Sequence, residues 1–466
     1  MESIVLIPSL IAVYIAQTRA LQWAFLDIYI PALFLIPVYY SWSIPMFPDP
    51  NFQEAIILPL MLFFVYRGLP GWRFSWTDVL VFTFTFSIVI SEYLNVGYKL
   101  AQNLTANMLL SVFSPYILAK SLVEPMGLRV AFVQRIVLSL FLVALILPLE
   151  NIIFTGYTLW QKALGRFFPG QGWFRDAVER WGLRRANGPF IHPIVAGLMM
   201  MIGFRLQRWL QWNNAWPKFK KWPRLPAAGL ITLVMLLGVI APLSRGPWLA
   251  GIIASLAILI LAGIVYLAKS PTTRYLLIGV TLISVIVAAL SAQEIFDQFS
   301  QSRSEIEPGS HERQTIAYRV DLYTTYGDIV LERWMWGWGR LGWPQDKAQW
   351  SIDNYYLALA LNHGLIAVAS FIILCIYLLS LLFIDIMHQR TPNPPQSALN
   401  ITLFALILMH FIFAFTVSLS GNSSTVLFII FGWADGYLLN KNRVYNPQTH
   451  SIGQTATTPF KFSRVM

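Results

Sequence analysis

Apolar residues run through this chain in long unbroken stretches, and the charges gather in the gaps between them. The stretches lie near 20–41, 54–67, 77–97, 104–121, 132–152, 189–207, 226–242, 246–268, 274–292, 354–384, 398–416 and 422–439. A helix crosses a bilayer in roughly 20 apolar residues, so these read as about twelve transmembrane helices. Polar and apolar positions do not alternate within them, so the expected fold is all-α and not a barrel. Residues 4–16 form a further apolar piece, read as interfacial or as an extra half-helix. The run 354–384 exceeds what a crossing needs and reads as one tilted helix with an extramembrane extension.

Charge sorts the gaps by side. The connection 205–224 carries Arg205, Arg208, Lys218, Lys220, Lys221 and Arg224 and no acid. Its alternate partners at 67–76, 269–274, 385–397 and after 440 are also basic or nearly so, and cytoplasmic loops are the ones that collect Lys and Arg. Both termini then lie in the cytoplasm. The opposite set contains two long loops, 153–188 and 293–353, of which the second holds ten acidic and six basic residues. The first breaks the rule with a basic excess, which suggests an anionic ligand. The expected organisation is N-terminal helices over 1–152, an outer loop over 153–188, helices over 189–292, a large outer loop over 293–353, helices over 354–439 and a disordered cytoplasmic tail over 440–466.

Composition agrees with a polytopic membrane protein. Hydrophobic residues make up 56% of the chain and charged ones only 12%, about half the share usual in soluble domains. The net charge of +11 would suit a nucleic-acid partner, but sorting by side assigns it to topology and removes that reading. The start, Met-Glu-Ser-Ile, lacks the basic region of a signal peptide. The lone cysteine, Cys375, excludes an internal disulfide framework.

Five groups could carry chemistry. Arg245, in Pro242-Leu-Ser-Arg-Gly-Pro-Trp248, is the one charge between Arg224 and Lys269. It either snorkels to headgroup phosphates or meets a dedicated anion. Arg184 and Arg185 stand at the mouth of the helix after Gly188-Pro189, as a basic cap or as a phosphate fork. Tyr318-Arg319, with His311 and Arg313, lies on an amphipathic helix expected over 311–333 in the large outer loop, where a solvated surface would look similar. Asp353, where that loop re-enters the membrane, is a helix N-cap, a general base or both, and His363 further along is a packed core residue or the alternative base. Trp334, Trp336, Trp338, Trp343 and Trp350 form an interfacial belt or offer flat faces to sugar rings. No nucleotide loop, metal-ligand cluster or Ser/His/Asp arrangement stands out. Any transfer on the outer face must therefore use a donor that brings its own activation.

These residues resemble the O-antigen ligase and O-antigen or exopolysaccharide polymerase superfamily of bacterial inner-membrane proteins. The likeness rests on Arg185-Ala-Asn-Gly-Pro-Phe-Ile-His-Pro193, Ser244-Arg245-Gly246, the Arg319 helix ending in Gly337-Trp-Gly339, and Asp353-Asn354 followed by Tyr356-Leu357 and Gly364-Leu-Ile366. It covers about 180–366, with the large outer loop between the ninth and tenth spans. The resemblance implies a membrane glycosyltransferase of the C type, free of metal and cofactor. Its donor would be a saccharide on undecaprenyl diphosphate. Its acceptor would be a hydroxyl of a glycan or glycolipid at the outer face of the inner membrane, among membrane lipids and with export or chain-length proteins as possible partners. Arg245 and Arg319, with Arg185 and Arg184, would hold the diphosphate, and Trp336, Trp338, Asn354 and Tyr355 the saccharide. Ligases of the family usually carry His-Asn where this chain has Asp353-Asn354, which favours a polymerase over a lipopolysaccharide ligase. A transporter of an inorganic anion or a saccharide lipid is the competing class, with Asp27, Glu92 and Glu150 as its intramembrane candidates.

Overall fold

A computed structural model of the chain describes residues 2–44, 48–152, 158–172, 179–216, 227–268, 270–281, 322, 325–340, 342–344, 352–388, 395–419 and 421–441. Each of the twelve apolar runs holds a helix. In chain order these are α1 (Leu6–Thr18), α2 (Leu21–Leu35), α3 (Phe52–Tyr66), α4 (Trp76–Asn95), α5 (98–122), α6 (Arg129–Ile152), the short α7 (Leu159–Leu164), α8 (Pro193–Trp212), α9 (Ala227–Ile240) and α10 (Arg245–Leu267). They continue with α11 (271–281), α12 (325–332), α13 (Tyr355–His388), α14 (Leu399–Phe413) and α15 (Asn422–Asn440). A two-stranded hairpin, β1 (Glu179–Arg180) and β2 (Leu183–Arg184), precedes α8. By length and composition α4, α6, α10 and α13 can cross a membrane, and α2, α3, α9 and α14 are shorter apolar helices. The chain is a multi-pass membrane protein. The amphipathic helix expected over 311–333 is seen as α12 and its neighbour Leu322, which lay Leu322, Tyr326 and Val330 on Leu357, Ala360 and Leu361 of α13. Its first part, with Arg319, lies outside the described residues, as do residues 442–466 of the tail.

Two helices widen into π turns, and each does so just before a proline. In α2 the stretch Phe25–Tyr29 precedes Pro31, and in α5 Met108–Phe113 precedes Pro115. A proline has no N–H to give the fourth carbonyl back, and a wider turn ahead of it absorbs the lost bond. The amides of Ile30 and Ser114 accordingly reach five residues back, to Phe25 and Leu109. Beside the α5 widening, Asn107 and Ser111 donate to Glu54 of α3 at 2.8 and 3.2 Å.

The run 354–384, read from the sequence as one tilted helix, is instead interrupted. Gly364 has φ 76° and ψ 177° inside α13, a conformation essentially reserved for glycine. The amide of Leu365 turns away from its own helix and donates to the carbonyl of Trp334 at 2.7 Å. The carbonyls of Leu361 and Asn362, released by the break, accept from Trp338 and Gly339 at 2.9 and 2.8 Å. Residues 334–339 are thus strapped into the gap.

At the other end of the bundle α15 closes on α5 through Gly432 and Gly436, where a side chain would strike the carbonyls of Tyr116 and Lys120. This spacing of small residues lets membrane helices meet backbone to backbone. The contact seals a charged cluster. Lys120, 1% exposed, lies 2.6 Å from Asp78 of α4 and 2.8 Å from Asp435 of α15. The hydroxyls of Ser75, Thr77 and Tyr116 donate to the same two carboxylates.

Candidate functional site

The turn between α9 and α10 is built for its arginine. Leu243 sits at φ 49°, a costly conformation for a side chain, and three donors hold it there. Arg180 of the hairpin donates to the Leu243 carbonyl at 2.6 Å, and Arg185 donates to the Pro242 carbonyl at 3.3 Å and to the Ser244 hydroxyl at 2.7 Å. Asn151 at the end of α6 donates to the carbonyls of Ala241, at 2.9 Å, and of Arg184. Arg185 thereby acts on the turn, while Arg184 closes the hairpin by pairing with Glu179. Ser244 precedes α10 in an extended conformation and Arg245 is its first residue.

Arg245 is exposed, with its guanidinium 5.7 Å from the centre of the Trp181 ring. Trp181 stacks in turn on Trp248, one turn into α10, at 6.3 Å and 21°. A cation in the first turn of a helix opposes the positive end of the helix dipole, a cost of about 0.3–1 kcal/mol. An anion docked there reverses that sign. The helix therefore presents a positive end reinforced by a guanidinium that aromatic rings keep in place.

A second loop joins this turn to the start of α13. Gly246 packs on Thr416, whose hydroxyl oxygen would lie 3.0 Å from a side chain placed there. Two residues before Thr416, the Ala414 carbonyl accepts the Tyr355 amide at 2.8 Å. So Arg185, Arg245 and the Asp353-Asn354-Tyr355 segment, distant in sequence, gather at one end of the bundle. The cap of α13 is not Asp353, as the sequence suggested, but Asn354, whose side-chain oxygen accepts the Leu357 amide at 3.0 Å. Asp353 stands one residue outside the helix, half-buried, where its carboxylate is not spent on capping that amide. Arg319 lies outside the described residues.

Beside this cluster a cavity of about 260 Å³ opens between α3, α4, α5, α13 and α15. Its wall includes Gln53, Asn107, Tyr355, Asn362, His363 and Arg340. Within the described residues the side-chain oxygens of Gln53 and Asn362 accept no hydrogen bond, and neither does that of Asn422 next to Gly421 on the rim. Buried amide oxygens without donors are costly, at roughly 1–3 kcal/mol each. They suit a ligand that supplies hydroxyls. Arg340 pairs with buried Glu92 at 2.9 Å, and its amide donates to the same carboxylate at 3.2 Å. Ser91 ties the strap to α13 by donating to the carbonyls of Trp336 and Asn362, the latter at 3.0 Å.

Trp336 and Trp338 belong to that strap. The Trp338 indole donates to the Ile329 carbonyl at 2.9 Å, and the Arg333 guanidinium stands 4.1 Å from its ring. The sequence reading passed over Gln53, Asn107 and Arg340. A glutamine one residue into an apolar helix and the polar Asn362-His363-Gly364 triplet within an apolar run were the available signals. The three intramembrane acids considered for transport are all engaged: Asp27 with Arg135 at 2.8 Å, Glu92 with Arg340, and Glu150 with the Gly188 amide at 2.9 Å.

Residues 230–372 match a family described as O-Antigen ligase. No curated protein matches the chain. The matched stretch begins in α9, carries Ser244-Arg245-Gly246 and Asp353-Asn354, and ends in α13 beyond the break at Gly364.

Proposed function

We propose that the chain, whose residues 230–372 match a family described as O-Antigen ligase, is a glycosyltransferase of the outer face of the bacterial cytoplasmic membrane. It takes a saccharide from an undecaprenyl-diphosphate carrier and passes it to an acceptor hydroxyl, as a surface-polysaccharide polymerase. The observation that carries this reading is Arg245, exposed at the head of α10 on a turn clamped by Arg180, Arg185 and Asn151. In the reaction the acceptor oxygen attacks the anomeric carbon, and the bond from that carbon to the diphosphate breaks. The lipid diphosphate leaves with its negative charge facing Arg245, and Arg319 is the second cation that the resemblance implies for it. The hydroxyl proton passes to the Asp353 carboxylate. Amide oxygens of Gln53 and Asn362 accept hydroxyls of the bound glycan.

An O-antigen ligase, with lipid A–core as acceptor, is the second reading, favoured by the name of the matched family. Purified protein incubated in detergent with a lipid-diphosphate saccharide tests the class. Product formation without a sealed membrane speaks against transport. Arg245→Ala and Arg319→Ala are expected to abolish polymer while the protein accumulates normally, and full-length polymer from both variants would overturn the proposal. In cells lacking the protein, single repeat units left on lipid mark a polymerase and long polymer on lipid marks a ligase.

A further inference from the structure

Between Glu179 and Glu294 the sequence contains no acidic residue, yet α8 brings two arginines together inside it. Arg205 and Arg208 both lie against the ring of Trp212, at 5.0 and 4.8 Å. Arg205 is only 9% exposed. One of its terminal nitrogens donates to the Thr402 hydroxyl at 2.6 Å and the Gln396 carbonyl at 3.4 Å. Its other two nitrogens find no acceptor within the described residues. Arg208 donates to Gln211 at 2.6 Å, and neither arginine is in an ion pair with a described carboxylate. Two guanidiniums sharing one indole, one of them buried with donors to spare, repel each other unless an anion sits between them.

Both arginines line a cavity of about 200 Å³ between α8, α10 and α14. Apart from Ser255 and Gln396 the rest of its wall is apolar, with Phe204, Ala254, Ile258, Leu406 and Met409 among its members. Thr402 and Gln396 fix the arginine end at the start of α14, beside the basic connection expected in the cytoplasm. From there the apolar wall runs inward along α14 to Met409, about 10 Å by helical rise. The groove is thus charged at the interface and greasy toward the membrane centre. We propose that this groove binds one anionic phospholipid of the cytoplasmic leaflet, its phosphate between Arg205 and Arg208 and an acyl chain along the α10–α14 wall. Basic pockets between membrane helices on that side have the chemistry to select such headgroups. The site is at the opposite end of the bundle from Arg245 and stands whether or not the transferase reading does.

The test uses the full chain purified in detergent. Native mass spectrometry and thermal unfolding are recorded with phosphatidylglycerol, with phosphatidylcholine of the same chains, and with inorganic phosphate. Phosphatidylglycerol is expected to give one retained adduct and a saturable rise in Tm that the other two do not. Arg208→Gln, which leaves the bonds of Arg205 to Thr402 in place, is expected to weaken retention about tenfold or more. Ala254→Phe, which fills the apolar wall, is expected to remove the adduct with both arginines present. An equal response to phosphatidylcholine would reduce the site to an apolar groove and overturn the proposal. A response to inorganic phosphate alone would make it a site for a free anion and overturn it too, as would wild-type retention in Arg208→Gln.

Discussion

Replacing Gly364 by alanine tests whether the strap and the broken helix form one unit. The backbone at Gly364, φ 76° and ψ 177°, costs a residue with a side chain about 1–3 kcal/mol. The added carbon would also strike the Met335 carbonyl oxygen and lie 2.7 Å from the Trp336 nitrogen. Both are backbone atoms of the strap, so relief requires the strap to lift. That breaks the bonds from Leu365 to Trp334, Trp338 to Leu361 and Gly339 to Asn362, worth about 0.5–1.5 kcal/mol each. The expected loss is therefore about 2.5–7.5 kcal/mol, with the strap newly open to protease at Arg333 and Arg340. Gly263→Ala is the control, because nothing lies within 4 Å of its added carbon and an alanine in a helix costs nothing relative to glycine. Tryptophan fluorescence melts in detergent, paired with limited trypsin digestion, read out both. If Gly364→Ala melts at the wild-type temperature with the strap still protected, the coupling argued from these bonds is wrong.

Three further outcomes follow from the geometry. Lys120→Met leaves Asp78 and Asp435 facing each other unpaired and should cost about 3–5 kcal/mol, seen as a fall in Tm and in yield. Adding Asp78→Asn and Asp435→Asn should recover much of that loss. Arg185→Ala removes two bonds to the Pro242–Ser244 turn and should lower both Tm and turnover, whereas Arg245→Ala should lower turnover alone. Asn354→Ala should cost about 0.5–2 kcal/mol as a lost cap, while Asp353→Asn should slow the transfer.

Much of the architecture was legible because membrane helices announce themselves by unbroken apolar runs. The turn at Arg245 was legible as well, since Gly246 and Pro247 mark a break between two apolar runs. The break in α13 was not, because Gly364 looks like any glycine until Leu365 and Trp334 are seen to exchange a bond across thirty residues of chain. The π turns were foreshadowed only by Pro31 and Pro115, whose usual effect is a kink. Asp353 and Asn354 are adjacent and both are good caps, so only the position of the Leu357 amide decides between them. The Arg205–Arg208 pair was visible as basic residues at a helix end, and its burial against α14 depends on how three helices pack.

The Lys120 cluster also sets an order of assembly. Its members come from positions 75–78, 116–120 and 435, so a ribosome delivers the first two sets long before the last. Until Asp435 is made, the charge of Lys120 is balanced within the cluster by Asp78 alone. Asp435 arrives with α15, and the hydroxyls of Ser75, Thr77 and Tyr116 are the donors that receive its extra charge. The nascent bundle therefore has a polar seam that stays open until α15 is made. A chain that stops short of α15 lacks Asp435 and leaves the Tyr116–Lys120 side of α5 without the helix that covers it.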